Sequence, residues 1–409
     1  MAFAIAAFPA PAAANTDPNA IARQVAKQRR LPVKKKIDHE IVEPDVLRDR
    51  LAAIASRDQV QRERGAEGLA LARWGMIPLD ADYPRLMSDL VTDRIAAYYD
   101  VAAKKLTINK RATEDPAWGQ MVIAHEVQHA LQDQHFDLKK LEDVPGTERD
   151  MALARHALVE GDGVALMIEM MLARKQIDVD WSDRQIAREL ENAMGLPTGD
   201  ALDRAPLAVR EAMLFPYRAG FAFVAELRRD ETWKIVDAAF KRPPRSTEQI
   251  LHVDKYRADE KPAAVTLDVP AALPAYTVAH STVWGELGFA LFLRSHGLTE
   301  AAAAQAAAGW GGDRVLTLAA AGNEKPERAI GLARLEWDSE ADAIEAHEAA
   351  VRALDIAIVG ATAEHTETRT RWLALDGTTG FVERRGTTVT LAVGIPARLL
   401  AAVQAELAR

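Results

Sequence analysis

Two histidines four residues apart constrain this chain more than any other feature. His125 and His129 stand in the segment His125-Glu126-Val127-Gln128-His129, within a stretch whose start is marked by Asp115 as a helix cap and Pro116 at the first helical position. On a helix, residues four apart are separated by about 40° around the axis and one turn along it, so both imidazoles can reach one ion. Glu126, turned by about 100°, can sit beside that ion's open position. This is the H-E-x-x-H pattern of a zinc site. Met121, Val122, Ala124, Ala130 and Leu131 surround the pair, so the helix is expected to be buried in a cleft.

Catalytic zinc takes three protein ligands and keeps one position open, so a third must come from elsewhere in the chain. Cysteine is absent, which removes thiolate ligands, disulfides and a cysteine nucleophile and leaves His, Asp and Glu to hold a metal. Two candidates compete. His135 has the spacing of a third ligand in H-E-x-x-H-x-x-G-x-x-H, but Gln132 stands where that pattern turns on glycine, and on a continued helix His135 points away from the pair. Glu160, in Ala157-Leu158-Val159-Glu160-Gly161-Asp162-Gly163, sits on a second predicted helix near 150–175. Gly161 and Gly163 suit a close approach of two backbones or a ligand, and Leu158, Val159, Val164 and Leu166 argue against a solvent-facing carboxylate. Glu160 is the preferred ligand. Asp162 and His156 are candidates for supporting the ligands, Asp162 by orienting a ligand imidazole through its free ring N–H.

The His125–His129 motif with Glu160-Gly161 downstream resembles the gluzincin zinc peptidases, in which a glutamate on a second helix completes a His2Glu site. Tyr98-Tyr99-Asp100, the run from His125 to Leu138, the Glu160 segment, the run from Pro243-Pro244 through Ser246-Thr247-Glu248-Gln249 to His252, and Gly309 to Arg314 resemble a family of bacterial and archaeal zinc metallopeptidases. That similarity runs from about Glu43 to the C-terminus, with a departure at Gly163, where relatives tend to carry alanine. It implies a zincin-like catalytic domain that binds Zn2+ through His125, His129 and Glu160 and hydrolyses a peptide or protein substrate. Glu126 would be the general base on a zinc-activated water. The Arg94 to Tyr99 strand is the candidate substrate edge, with Tyr98 and Tyr99 as substrate-binding residues. Tyr217, His252, His156 and His135 are candidate donors to the oxyanion, Tyr217 and His252 foremost.

The rest of the chain frames this site. Its 409 residues, 49% of them apolar, are enough for two or three domains. A formal charge of −9 argues against a broad nucleic-acid or anionic-membrane footprint. No run reaches the roughly 18 apolar residues of a membrane-spanning helix. Residues 1–40 read as a signal-like or disordered segment. Met1 to Ala14 is Ala- and Phe-rich with a small-residue end but no basic start, giving an expectation of export, and Arg23 to Lys36 reads as a solvated basic linker.

Residues 41–312 read as the helical zincin-like domain, with a hairpin near residues 94–109 and the Gly309–Asp313 run as its far boundary. Residues 313–409 read as a small α+β domain of ferredoxin-like type. Its strands lie near 315–319, 329–337, 368–375, 381–384 and 387–393, with a helix capped by Ser339 and another after Pro396. The expected class is α+β, predominantly helical. The competing reading is a non-catalytic zinc-binding or protein-binding module of the cell envelope.

Overall fold

Helical and strand-like spacings separate in space in the computed structural model, which describes residues 16–92, 96–183, 185, 189–190, 200–229, 232–358 and 360–408. The helical body contains α1 (Pro18–Arg29), α2 (Pro44–Ala55), α3 (Asp58–Arg73), α4 (Tyr83–Thr92), α5 (Pro116–Phe136), α6 (Arg149–Arg174), α7 (Leu207–Arg228) and α8 (Trp233–Lys241). A small sheet of β1 (Asp38–Val42), β2 (Ala97–Asp100) and β3 (Lys105–Asn109) lies against α5, in the order β1-β3-β2. β1 runs parallel to β3 and β2 antiparallel, so β2 and β3 form the predicted hairpin. The class is mixed α+β and predominantly helical.

The core of this body is the contact of α6 with α7, and glycine makes it possible. A Cβ on Gly161 would lie 2.1 Å from the carbonyl oxygen of Gly220, and one on Gly220 would lie 2.1 Å from that of Ala157. The two backbones therefore touch where any side chain would separate them. This fixes α6 with Glu160 turned toward α5.

The second body is a seven-stranded antiparallel sheet of β4 (Tyr276–Thr282), β5 (Trp310–Ala320), β6 (Ile330–Trp337), β7 (Thr362–His365), β8 (Arg369–Leu373), β9 (Thr378–Arg385) and β10 (Thr388–Pro396), in the order β4-β5-β6-β10-β9-β8-β7. Alternate residues feed opposite faces. Val315, Leu335, Val389 and Leu391 pack with α9 (Gly285–Ser295), α10 (Glu300–Ala307) and the alanine stripe Ala343, Ala346, Ala350 and Ala353 of α11 (Glu340–Ala357). Leu316, Leu318, Leu332 and Phe381 face α12 (Leu400–Leu407). Trp74, at the end of α3, joins the bodies by packing edge-on to Trp284 at 4.9 Å and Phe292 at 5.9 Å.

Several expectations need correction. Residues 16–40 are neither tail nor linker. Ile21, Ala22 and Val25 of α1 are buried in the helical core, Arg29 is fully buried, and β1 is a sheet strand. The basic run was misleading because the partners of Arg29, Asp162 and Asp237, lie far away in the chain.

The Gly309–Asp313 run is not a boundary but the irregular start of β5, and the sheet reaches back to Tyr276. Its seven strands and three-then-four-strand connection around α11 differ from the β-α-β-β-α-β order of a ferredoxin-like unit. The stretch Met1–Ala14 lies outside the described residues. Among the described residues no helix is long and apolar enough to cross a membrane.

Because the α6–α7 contact leaves no room for a methyl group, Gly161→Ala is expected to destabilise the protein by about 1–3 kcal/mol and to loosen metal binding. Gly65→Ala, on α3 with nothing within 4 Å of the new Cβ, should stabilise by up to about 1 kcal/mol. Denaturant midpoints at unchanged m-value check both, and equal effects at the two sites would contradict the packing account.

Candidate metal centre

α5 carries His125 and His129 one turn apart, and α6 crosses it with Glu160 facing them; all three side chains are buried. His125 Nε2 lies 3.0 Å from Glu160 Oε2 and 3.1 Å from His129 Nε2, and His129 Nε2 lies 3.6 Å from Glu160 Oε2. A tetrahedral ion with bonds of about 2.0–2.1 Å would hold its ligand atoms about 3.3 Å apart, so this triangle has the size of one face of such a coordination shell. Gly163 makes room for it, since a Cβ there would stand 3.0 Å from His125 Cε1.

The far sides of the imidazoles decide which nitrogens face the centre. His129 Nδ1 lies 2.9 Å from Gln132 Oε1, and the Gln132 amide is oriented because its Nε2 donates to the Val159 carbonyl at 3.0 Å and to Asp162 Oδ2 at 2.7 Å. The oxygen of Gln132 must then accept, His129 Nδ1 carries the proton, and its Nε2 lone pair points inward. His125 Nδ1 lies 3.2 Å from Met167 Sδ, a weak acceptor that leaves its Nε2 facing the centre.

Asp162 also accepts from Gln128 Nε2 at 2.8 Å and from Arg29 Nε at 2.5 Å. Asp162 thus orients a ligand imidazole, but through Gln132. The spacing of His125, Gln128, His129 and Gln132 forms a polar stripe on a buried helix, and this sequence signal could have identified both glutamines.

The two imidazoles and the carboxylate hold positive charge between them. Burial lowers the pKa of His129, but the Glu160 carboxylate outweighs it and lifts it to about 9. Burial raises that of Glu160, and His129 and His125 overcome this and hold it well below the carboxylate range. Two imidazoles and one carboxylate can therefore coexist here with a proton shared among them or with a metal ion in its place.

Glu126 is buried beside them. Its Oε2 accepts the Tyr99 backbone N–H at 2.8 Å, while its Oε1 has no hydrogen-bond partner among the described residues. The Tyr217 hydroxyl, brought in by α7, is hydrogen-bonded with Glu160 and lies within Coulombic reach of Glu126; burial, then these carboxylates, push its pKa well above the usual value. His156 Nε2 stands 3.6 Å from Glu160 Oε1 with 39% of its side chain exposed, and burial pushes its pKa down against the pull of Glu160.

Other expected site residues lie elsewhere. Tyr98 points to the opposite face of its strand and packs with Val42, Leu47 and Leu51. Tyr99 is near the site, but its N–H is held by Glu126 and its hydroxyl donates to Asp133 at 2.9 Å, so neither group is left for a substrate. His252 pairs with Glu286 at 2.9 Å, which raises its pKa, and its other charged neighbours are Glu248 and Lys255. His135 donates to the Pro32 carbonyl at 2.7 Å and anchors the segment after α1. A second acidic group, Glu248, Glu260 and Asp338, already surrounds the Lys255 ammonium at 2.5–2.9 Å.

The geometry ranks the ligands. Glu160→Ala should abolish tight zinc binding, Gln132→Leu should weaken it about 10–100-fold, and His135→Ala should leave it within a factor of a few. Competition with a chromophoric chelator checks the series, and a larger loss in His135→Ala than in Glu160→Ala would refute the assignment.

Comparison with known proteins bears on the other body. A family model described as a domain of unknown function (DUF8575) matches residues 275–404, the span from β4 to α12, which includes none of His125, Glu126, His129 or Glu160. No curated protein and no solved structure matches the chain.

Proposed function

We propose that this protein is a zinc-dependent peptidase with a zincin-like helical body, built on His125, His129 and Glu160 as ligands and Glu126 as general base. The carrying observation is the convergence of three buried donor atoms with a carboxylate that has one oxygen held and the other free. Nitrogen, nitrogen and carboxylate oxygen in this triangle suit zinc, which when bound polarises a carbonyl and acidifies water. Among the described residues no fourth His, Asp or Glu joins the group, as a catalytic rather than a purely structural site requires.

The chain's own residues then divide the work. The Tyr99 N–H fixes Glu126 through one oxygen and leaves Oε1 to take a proton from water and return it to the leaving amine. Tyr217 stays protonated at neutral pH, so its hydroxyl can turn from Glu160 to donate to the developing oxyanion.

Glu126→Gln is expected to keep one zinc per chain and to lose peptide hydrolysis by about 10²–10⁴-fold. Tyr217→Phe should lower kcat by about 10²-fold with little change in KM. Metal analysis beside a digest of a mixed peptide library reads both, and full activity in the Glu126→Gln protein would refute the proposed base.

A further inference from the structure

Next to the metal centre the chain surrounds an apolar cavity of about 430 Å³. Its volume is within the range of small-ligand sites and about three times that of a cavity of about 150 Å³ that holds benzene, so more than one large side chain fits. Leu71, Trp74 and Met213 come from the helical body, and Trp284, Leu287 and Leu291 come from the sheet body. His156 belongs to both places, lining the cavity while its Nε2 lies 3.6 Å from Glu160 Oε1.

The charges around this cavity answer one another. Arg149 is paired with Glu67, and the Asp150 oxygens accept the Thr247 N–H at 3.0 Å and its hydroxyl at 2.5 Å. Burial lowers the pKa of His280 and so favours its neutral form. Burial also raises the pKa of Asp150 well above the usual carboxylate value and so favours its neutral form, and with Arg149 paired to Glu67 a charged head buried here would be costly. Met76, Met87 and Met213 give the walls adaptable surfaces that accept several apolar shapes.

We propose that this cavity is the substrate side-chain pocket, and that the preferred substrate is an uncharged stretch of extended peptide with a large apolar residue beside the bond held at the metal centre and a second one two positions away, on the same side of the extended chain. This rests on the peptidase reading. It also assigns the sheet body a role, since β4, β5 and α9 supply one wall.

The test has two arms. Calorimetry on the metal-free protein compares N-acetyl-Leu-Gly-Leu-amide with N-acetyl-Gly-Gly-Gly-amide and with decanoate. The leucine compound should bind at least tenfold more tightly than the others, and Ala212→Trp, or Ala152→Phe should the first variant fold poorly, should remove that advantage. In the second arm, zinc-loaded wild type digests a peptide library, with cleavage expected beside Leu, Met or Phe, and the filled variant is expected to shift toward small residues.

Equal binding of the leucine and glycine compounds, or leucine binding unchanged in a folded filled variant, would overturn the assignment, as would tighter binding of decanoate. Leucine-selective binding with no cleavage of any peptide would overturn the peptidase reading and leave the pocket as an apolar peptide site.

Discussion

Three donor atoms aimed at one point in a protein interior need positive charge between them, a proton or a cation, and the helical body is organised around holding them there. Burial of His125, His129 and Glu160 removes the water that would otherwise screen them. The helices cannot relax apart, because α6 and α7 are in backbone contact at Gly161 and Gly220. Nor can the His129 ring turn freely, because Gln132 holds its outer nitrogen. A cation can take the proton's place, and the polar groups behind the ligands keep the site ready for it.

That readiness depends on a helix far away in the chain. Arg29 is fully buried, donates to Asp162, pairs with Asp237 at 2.8 Å and lies 4.4 Å over the Trp233 ring. A buried ion pair contributes little net stability compared with a well-packed apolar substitute, yet breaking one by deleting a partner costs roughly 3–5 kcal/mol. Its use here is positional. The guanidinium fixes Asp162, Asp162 fixes the Gln132 amide, and the amide sets the tautomer of His129. Helix α1 therefore acts at the metal centre without touching it.

The residues legible in the sequence are those whose information is local. The His125–His129 spacing, the helical setting of Glu160 and the cap at Ser339 each follow from neighbours a few positions away. Arg29 could not be read so, because a charged residue in a basic run looks solvated until its remote carboxylates are known. Gly309–Asp313 misled for a related reason, since a glycine run marks either a break or an irregular strand start, and only pairing with β4 and β6 decides. Tyr98 and Tyr99 are adjacent in sequence yet face opposite sides of one strand, so strand alternation separates them.

The placement of the two bodies also separates two tasks that sequence proximity would merge. The donor atoms of the metal centre come from α5 and α6, while the cavity beside it is closed by residues of β4, β5 and α9. Substitutions in the sheet body can therefore reshape what fits next to the centre without replacing a ligand, and the Trp74–Trp284–Phe292 contact packs the two bodies against each other. The stretch similar to a domain of unknown function spans that wall and omits the donors. That stretch supplies one wall of the cavity, while every donor atom of the metal centre sits on the helices.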